Sequence, residues 1–337
     1  MEKIGLILDA QKLGDIKEIA ISAEDAGFHS VWATELYRTS FQQLAAVVDS
    51  TSAIKLGTAV ALAFVRTPLN TALTALDLDE ASEGRLILGL GSGAKRTNEL
   101  WHGIPHGKPV KRITECIELI RLIIERSHMN DTLSYEGEYY DVTLKGYRRA
   151  FPPLRPSVPI YLAGVGSGMT RAAGRVADGY IGHVVCTLGY LREVVVPSLK
   201  AGLGDSGKDR SAFTAASIIT CAPSHDTKRA REAARKTIAF YATVRTYEPP
   251  FKMHGFEREC ALIREAFFGG DVEGMASLVS DDMVRAFAVV GTPDECRKRI
   301  GDYREFLDLP ILSAPHYFLD FEEVRDYQRA ILETFGG

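Results

Sequence analysis

Eight times along this chain a short apolar run hands over to a helical pattern. Strands that alternate with helices pair in parallel, so the alternation limits the chain to an α/β fold. The strands read as residues 3–8, 30–34, 55–61, 86–91, 159–163, 179–185, 212–221 and 309–313. Ile16, Ile19, Ala20 and Ala23 share one face of a helix over 15–26, which Gly27 ends. A helix over 68–82 opens with Pro68 in its first turn. Cys116, Ile117, Ile120 and Ile124 fall in register over 114–125, and Thr292 is placed to cap a helix over 293–306. Further helices read over 41–50, 171–176, 189–201, 227–242 and 321–335.

Two stretches break the rhythm. Residues 132–142 carry Tyr-Glu-Gly-Glu-Tyr-Tyr and read as a small hairpin, and residues 255–288 read as an inserted helical segment. Four prolines over 151–159 demand an extended connection. The expected fold is a (β/α)₈ TIM barrel with insertions after strands four and seven, one domain over residues 1–337. A doubly wound open sheet is the alternative.

The 40 basic and 44 acidic side chains leave a net charge of −4 without a basic block, which argues against nucleic-acid or anionic-membrane surfaces. The apolar run over 54–65 is interrupted by Lys55 and falls short of the roughly 20 residues that span a bilayer. The start Met-Glu-Lys-Ile lacks the pattern of a signal peptide. Five scattered cysteines with no Cys-x-x-Cys argue against a disulfide framework or zinc ribbon, so a cytoplasmic setting is expected.

In a barrel of this kind chemistry sits at the carboxyl ends of the strands. Those ends carry Asp9, then Thr34, Glu35, Tyr37 and Arg38, then Thr58, Ala59 and Val60 with Arg66 beyond. Strand four ends in Gly91-Ser92-Gly93, with Lys95, Thr97 and Asn98 behind it; strand five ends in Gly164-Val165-Gly166-Ser167-Gly168. His183, Thr220 and His316 follow on strands six to eight. The second glycine turn runs into a helix, so its amides suit a phosphate. Neither turn has Rossmann spacing, and both are also explained as tight strand-to-helix turns without a ligand. His102 and His106 flank Gly103 and Pro105, so they sit on a loop and no metal is expected. Glu35 suits either proton transfer or a salt bridge with Arg38 or Arg66. His183 reads as a core histidine or a ligand contact. So few reactive side chains point to a cofactor that carries the hard chemistry.

Several runs resemble the bacterial luciferase-like superfamily. They are Gly27-Phe28-His29-Ser30-Val31-Trp32-Ala33-Thr34-Glu35, Leu56-Gly57-Thr58-Ala59-Val60, and Gly84-Arg85-Leu86-Ile87-Leu88-Gly89-Leu90-Gly91-Ser92-Gly93. Pro159-Ile160-Tyr161-Leu162-Ala163-Gly164, Ala177-Asp178-Gly179-Tyr180-Ile181 and Val290-Gly291-Thr292-Pro293 continue the likeness. Phe287-Ala288-Val289-Val290-Gly291 and Phe64-Val65-Arg66-Thr67-Pro68 are similar to the coenzyme F420-dependent, methylenetetrahydromethanopterin reductase-like branch.

The resemblance implies an F420-dependent oxidoreductase that passes a hydride between the deazaflavin C5 and a small organic substrate. It implies a cis peptide at Ala59–Val60 behind the coenzyme ring, with Thr34, Glu35 and Thr58 nearby. Gly91, Ser92, Gly93 and Thr97 would line the ring and ribityl chain. Ala163, Gly164, Val165 and Gly166 would hold the phosphate, with His183 near it, and Glu35 would relay a proton. Glu35-Leu36 stands where several relatives carry Asp-His, and Ala94 where a sugar-phosphate dehydrogenase carries glutamate, which argues against that substrate. A homodimer through the second and third helices is also implied. FMN in a monooxygenase is the alternative cofactor reading, and a non-catalytic flavin-binding barrel the alternative of another class.

Overall fold

The computed structural model describes residues 3–337. Its strands, in chain order, are β1 (Gly5–Leu8), β2 (Ser30–Ala33), β3 (Lys55–Thr58), β4 (Ala61–Leu62) and β5 (Leu86–Gly91). Then come β6 (Leu133–Glu136), β7 (Asp141–Leu144), β8 (Ile160–Gly164), β9 (Gly179–Gly182), β10 (Thr214–Pro223), β11 (Ala288–Gly291) and β12 (Leu309–Ser313). Parallel pairing runs β1–β2–β3–β5–β8–β9–β10–β12 and returns to β1, so eight strands close a ring. That closure excludes the open sheet. The third strand is interrupted by a cis peptide at Ala59–Val60, after which β4 pairs with β5.

Both insertions are where the rhythm broke. After the fourth barrel strand, β6 and β7 pair antiparallel, Glu136 opposite Asp141. After the seventh come the helices Glu248–Met253, Glu257–Phe268, Val272–Ser277 and Asp281–Phe287. Past the end of that segment lies a strand that the sequence reading did not include. Ala288–Gly291 is a strand, paired to β10 on the edge opposite β12: Thr220 faces Ser313 on one side and Ala288 on the other. An apolar run of four residues does not distinguish strand from helix by period. The sixth strand is also shorter than read. Val184 and Val185 leave it to pack under the inserted helices.

Local signals explain the helix starts. Thr292 and Glu295 form a capping box ahead of Pro293–Tyr303: the Glu295 amide donates to Thr292 Oγ1, and Thr292 N–H to Glu295 Oε2 at 2.8 Å. Helix Pro109–Arg126 buries Ile113, Cys116, Ile117, Ile120 and Ile124 in the main hydrophobic core at three- and four-residue spacing. All five cysteines are buried and unpaired. No helix among the described residues is long and apolar enough to cross a membrane.

The barrel interior sets the depth of everything above it. Trp32 is fully buried there, with Ile7, Ile87, Tyr161, Ile181, Leu309 and Ile311 around it. Its indole fits because both neighbouring strands offer glycine. A Cβ on Gly57 would lie 2.2 Å from Trp32 Cε3, and one on Gly5 2.7 Å from Nε1. The indole N–H is satisfied by Ser30 Oγ at 2.8 Å. Tyr161 in turn lies over Gly179. Large rings fill the lower barrel, and small residues are left for the mouth.

Candidate active site

Above the Trp32–Tyr161 layer the strand ends carry Asp9, Thr34, Ala59, Val60, Gly91, Ala163 and His183, with Ile218 of β10 packed against that layer. Of these, Asp9, Thr34, Val60, Ala163, His183 and Ile218 are partly exposed although they lie on barrel strands or directly after them. The floor is apolar and free of long side chains. Val60, Gly91 and Ala163 converge: a Cβ on Gly91 would sit 2.5 Å from Val60 Cγ2 and 3.9 Å from Ala163 Cβ. Thr58 takes no part in that surface. It is fully buried and its hydroxyl donates to the Gly89 carbonyl at 2.6 Å, which ties the third barrel strand to the fourth.

The first glycine turn is held from behind. Gly93 has φ +67°, a conformation that favours glycine. Asn98, fully buried, donates from Nδ2 to the Ser92 carbonyl at 2.7 Å and lies 2.9 Å from His106 Nδ1. Thr97 begins the wide helical turn Thr97–Trp101 and is half-buried. His102 and His106 lie on the loop that follows.

The second turn opens helix Ser167–Val176, four residues earlier than its apolar period indicates. Gly166, at φ −75° and ψ 152°, occupies the capping position and no side chain caps the helix. Its first amides therefore have no acceptor in the helix, and the helix dipole adds positive potential there. The turn's carbonyls are already used: Tyr180 donates to Gly164 O at 2.6 Å and Tyr190 to Val165 O at 3.1 Å. Gly166, Ser167 and Gly168 are exposed. An anion is what such a terminus takes.

Glu35 has both carboxylate oxygens engaged. Arg66 Nη2 lies 2.6 Å from Oε1, and the Ser40 hydroxyl donates to Oε2 at 2.9 Å. The pair is nearly dry, with side-chain exposures of 9% for Glu35 and 17% for Arg66. Arg66 also lies over the Phe41 ring at 5.2 Å. Of the two salt-bridge partners read from the sequence, Arg66 is the one found; Arg38 donates to the Gln11 carbonyl instead. Thr34 is fixed through its backbone, whose carbonyl accepts from Gln43 Nε2 at 2.6 Å.

His183 follows β9 and meets an aromatic wall. Its ring stacks on Tyr247 at 4.0 Å and 23°, and meets Tyr241 edge-on at 4.9 Å. Its Nδ1 is buried without a hydrogen-bond partner. Burial, with repulsion from His316 second, pulls its pKa down to about 3, so it is neutral at physiological pH. His316 Nδ1 lies 3.1 Å from the Ala314 carbonyl and 3.9 Å from Asp9 Oδ2, beside Tyr317. Tyr241, Tyr247 and Tyr317 were not legible as site residues. Tyr317 is the neighbour of His316 beyond strand eight, and the other two come from the helix after strand seven and the turn beyond it.

The sequence profile described as Luciferase-like monooxygenase matches residues 3–308. The chain belongs to that family. Among luciferase-like relatives, the 5,10-methylenetetrahydromethanopterin reductase of Archaeoglobus fulgidus is 33% identical over 289 residues, 83% of each chain. An uncharacterized protein of Mycobacterium tuberculosis is 36% identical over 289 residues, 84% of each. The structure of the coenzyme F420-dependent tetrahydromethanopterin reductase from Methanopyrus kandleri superposes with a TM-score of 0.85 at 26% identity. That match covers 99% of this chain and 96% of that one. The luciferase-like barrel inferred from the sequence motifs is therefore the fold and the family of this protein.

Proposed function

We propose that this luciferase-like protein is an F420-dependent oxidoreductase that passes a hydride between the deazaflavin C5 and a small, methylenetetrahydromethanopterin-like substrate. The observation that carries the reading is the full-length likeness to an F420-dependent reductase. The chain's own groups fit the coenzyme. A flat ring needs a floor without long side chains, which Ala59, Val60, Gly91 and Ala163 supply. A phosphate tail needs unpartnered amides, which the uncapped start of Ser167–Val176 supplies. His183 Nδ1 adds an unsatisfied polar atom.

On this reading Ala163 to Gly166 and the first helical amides hold the phosphate, while Gly91, Ser92, Gly93 and Thr97 border the ring and ribityl chain. When bound, the coenzyme supplies the hydride chemistry. The protein's part is to orient, to exclude water and to manage charge. Thr34 and Glu35 border the ring, and the Arg66–Glu35–Ser40 array fixes where negative charge stands. Thr58 supports the floor from below. Glu35 relays a proton on this reading, its carboxylate held in place by Arg66 and the Ser40 hydroxyl. A homodimer through helices Ser40–Val47 and Pro68–Ala81, in the cytoplasm, belongs to the same proposal, and sedimentation at micromolar concentration tests the dimer.

The family description favours a second reading, an FMN-dependent monooxygenase. An anaerobic assay with reduced F420 and a panel of imines, activated alkenes and pterin-bound one-carbon units separates the two. Substrate-dependent reoxidation of F420 without oxygen supports the reductase. Turnover confined to reduced FMN plus oxygen overturns it.

A further inference from the structure

We propose that Tyr247 is a positioning residue: its ring holds the His183 imidazole in the orientation that lets it hydrogen-bond the ligand in the barrel mouth. This deepens the coenzyme reading and rests on it for the ligand itself. Tyr247 closes the short turn Arg245–Tyr247, the first structure after helix Thr227–Thr243 and the start of the inserted segment.

The geometry leaves the imidazole little freedom. Tyr247 covers one face at 4.0 Å and Tyr241 stands edge-on at 4.9 Å and 90°. Tyr241 is itself braced, edge-on against Tyr317 at 5.3 Å, and Tyr317 stacks on Phe240 at 3.6 Å. The titratable groups that face the imidazole are these two phenols and His316 from the end of β12, and His316 in turn faces Asp9 at 3.9 Å. Nδ1 has no partner in the protein. With no hydrogen bond at Nδ1 to fix the ring, its orientation is set by the aromatic contacts. An imidazole without a carboxylate partner and covered by rings favours its neutral form, and burial pulls in the same direction. The rings that hold His183 therefore place it to hydrogen-bond the ligand. The ring of Tyr247 does this work, so phenylalanine replaces it and alanine does not.

The test follows the His183 ring by NMR across pH in the ligand-free protein, wild type against Tyr247→Ala and Tyr247→Phe. The signal is assigned by its loss in His183→Asn. The same proteins, shown folded by circular dichroism, are titrated with F420 at one pH. Tyr247→Ala should raise the His183 pKa by about one unit or more and weaken F420 binding about tenfold, while Tyr247→Phe keeps both near wild type. A His183 titration unmoved in Tyr247→Ala overturns the proposal, as does Tyr247→Phe behaving like Tyr247→Ala. Failure of the wild-type protein to bind F420 counts against the coenzyme reading; the ligand-free titration then still decides the role of Tyr247.

Discussion

At Gly89 there is no room for a methyl group. A Cβ there would lie 1.9 Å from the Thr58 carbonyl oxygen, a backbone atom fixed in the neighbouring strand. Gly89→Ala should cost about 3 kcal/mol, the upper end for overpacking, read as a shift in the urea midpoint at unchanged slope. In the sequence Gly89 belongs to a glycine-rich run that suggests a ligand. Its actual constraint is steric and comes from a residue 31 positions away, which no local pattern reveals. Glu35 was legible as an acid at a strand end, and its two readings were a proton relay or a salt bridge. Glu35→Gln should destabilise by about 1–3 kcal/mol, because it strands Arg66 in a nearly dry site that still retains some solvent. It should lower turnover more than F420 affinity, and unchanged turnover removes Glu35 from the mechanism. His183 sets a pH dependence. It takes a proton near 6.5 when unfolded but only at about 3 when folded, so between those values the unfolded chain binds more protons. Its contribution is complete above pH 6.5 and is lost as the pH falls toward 3, with His29, His106 and His254 pulling the same way through burial. The melting temperature should drop as the pH goes from about 7.5 to about 5, and His183→Asn should flatten part of that slope.

Helix Ser167–Val176 starts without the side-chain cap that would stabilise it. Its capping position is held by Gly166, whose backbone suits an aspartate and whose missing Cβ would meet nothing within 4 Å. Gly166→Asp should stabilise the fold by a few tenths of a kcal/mol, because the carboxylate would accept from the free amides. The same carboxylate should weaken F420 binding about tenfold or more by occupying and repelling the phosphate position. Calorimetry beside a coenzyme titration reads both, and a variant that binds F420 as well as wild type argues that the phosphate lies elsewhere. Elements with strong periods or caps were legible: Thr292 as a cap, Pro68 as a helix start, and the apolar strands. Those that tertiary packing decides were not. Ala288–Gly291 becomes a strand because β10 offers it a free edge beyond Ser217, where β9 stops pairing.

For the whole molecule, ring closure and filling together define the mouth. Trp32 and Tyr161 occupy the lower barrel because Gly5, Gly57 and Gly179 yield space, and the floor above them at Ala59, Val60, Gly91 and Ala163 stays small. The count of eight strand–helix units was plain in the sequence. That two glycines flank a tryptophan to set the depth of a site was not, since those contacts join three separate strands. The aromatic wall around His183 was hidden for the same reason, being assembled from β9, the helix after β10 and the turn beyond it. The central claim is that this mouth holds a deazaflavin whose phosphate rests on the start of Ser167–Val176. Equilibrium titration of the wild-type protein with F420 and, in parallel, with FMN tests it most directly, followed by tryptophan fluorescence. The account predicts saturable F420 binding at one site per chain and tighter than FMN; saturation by FMN with no response to F420 would contradict it.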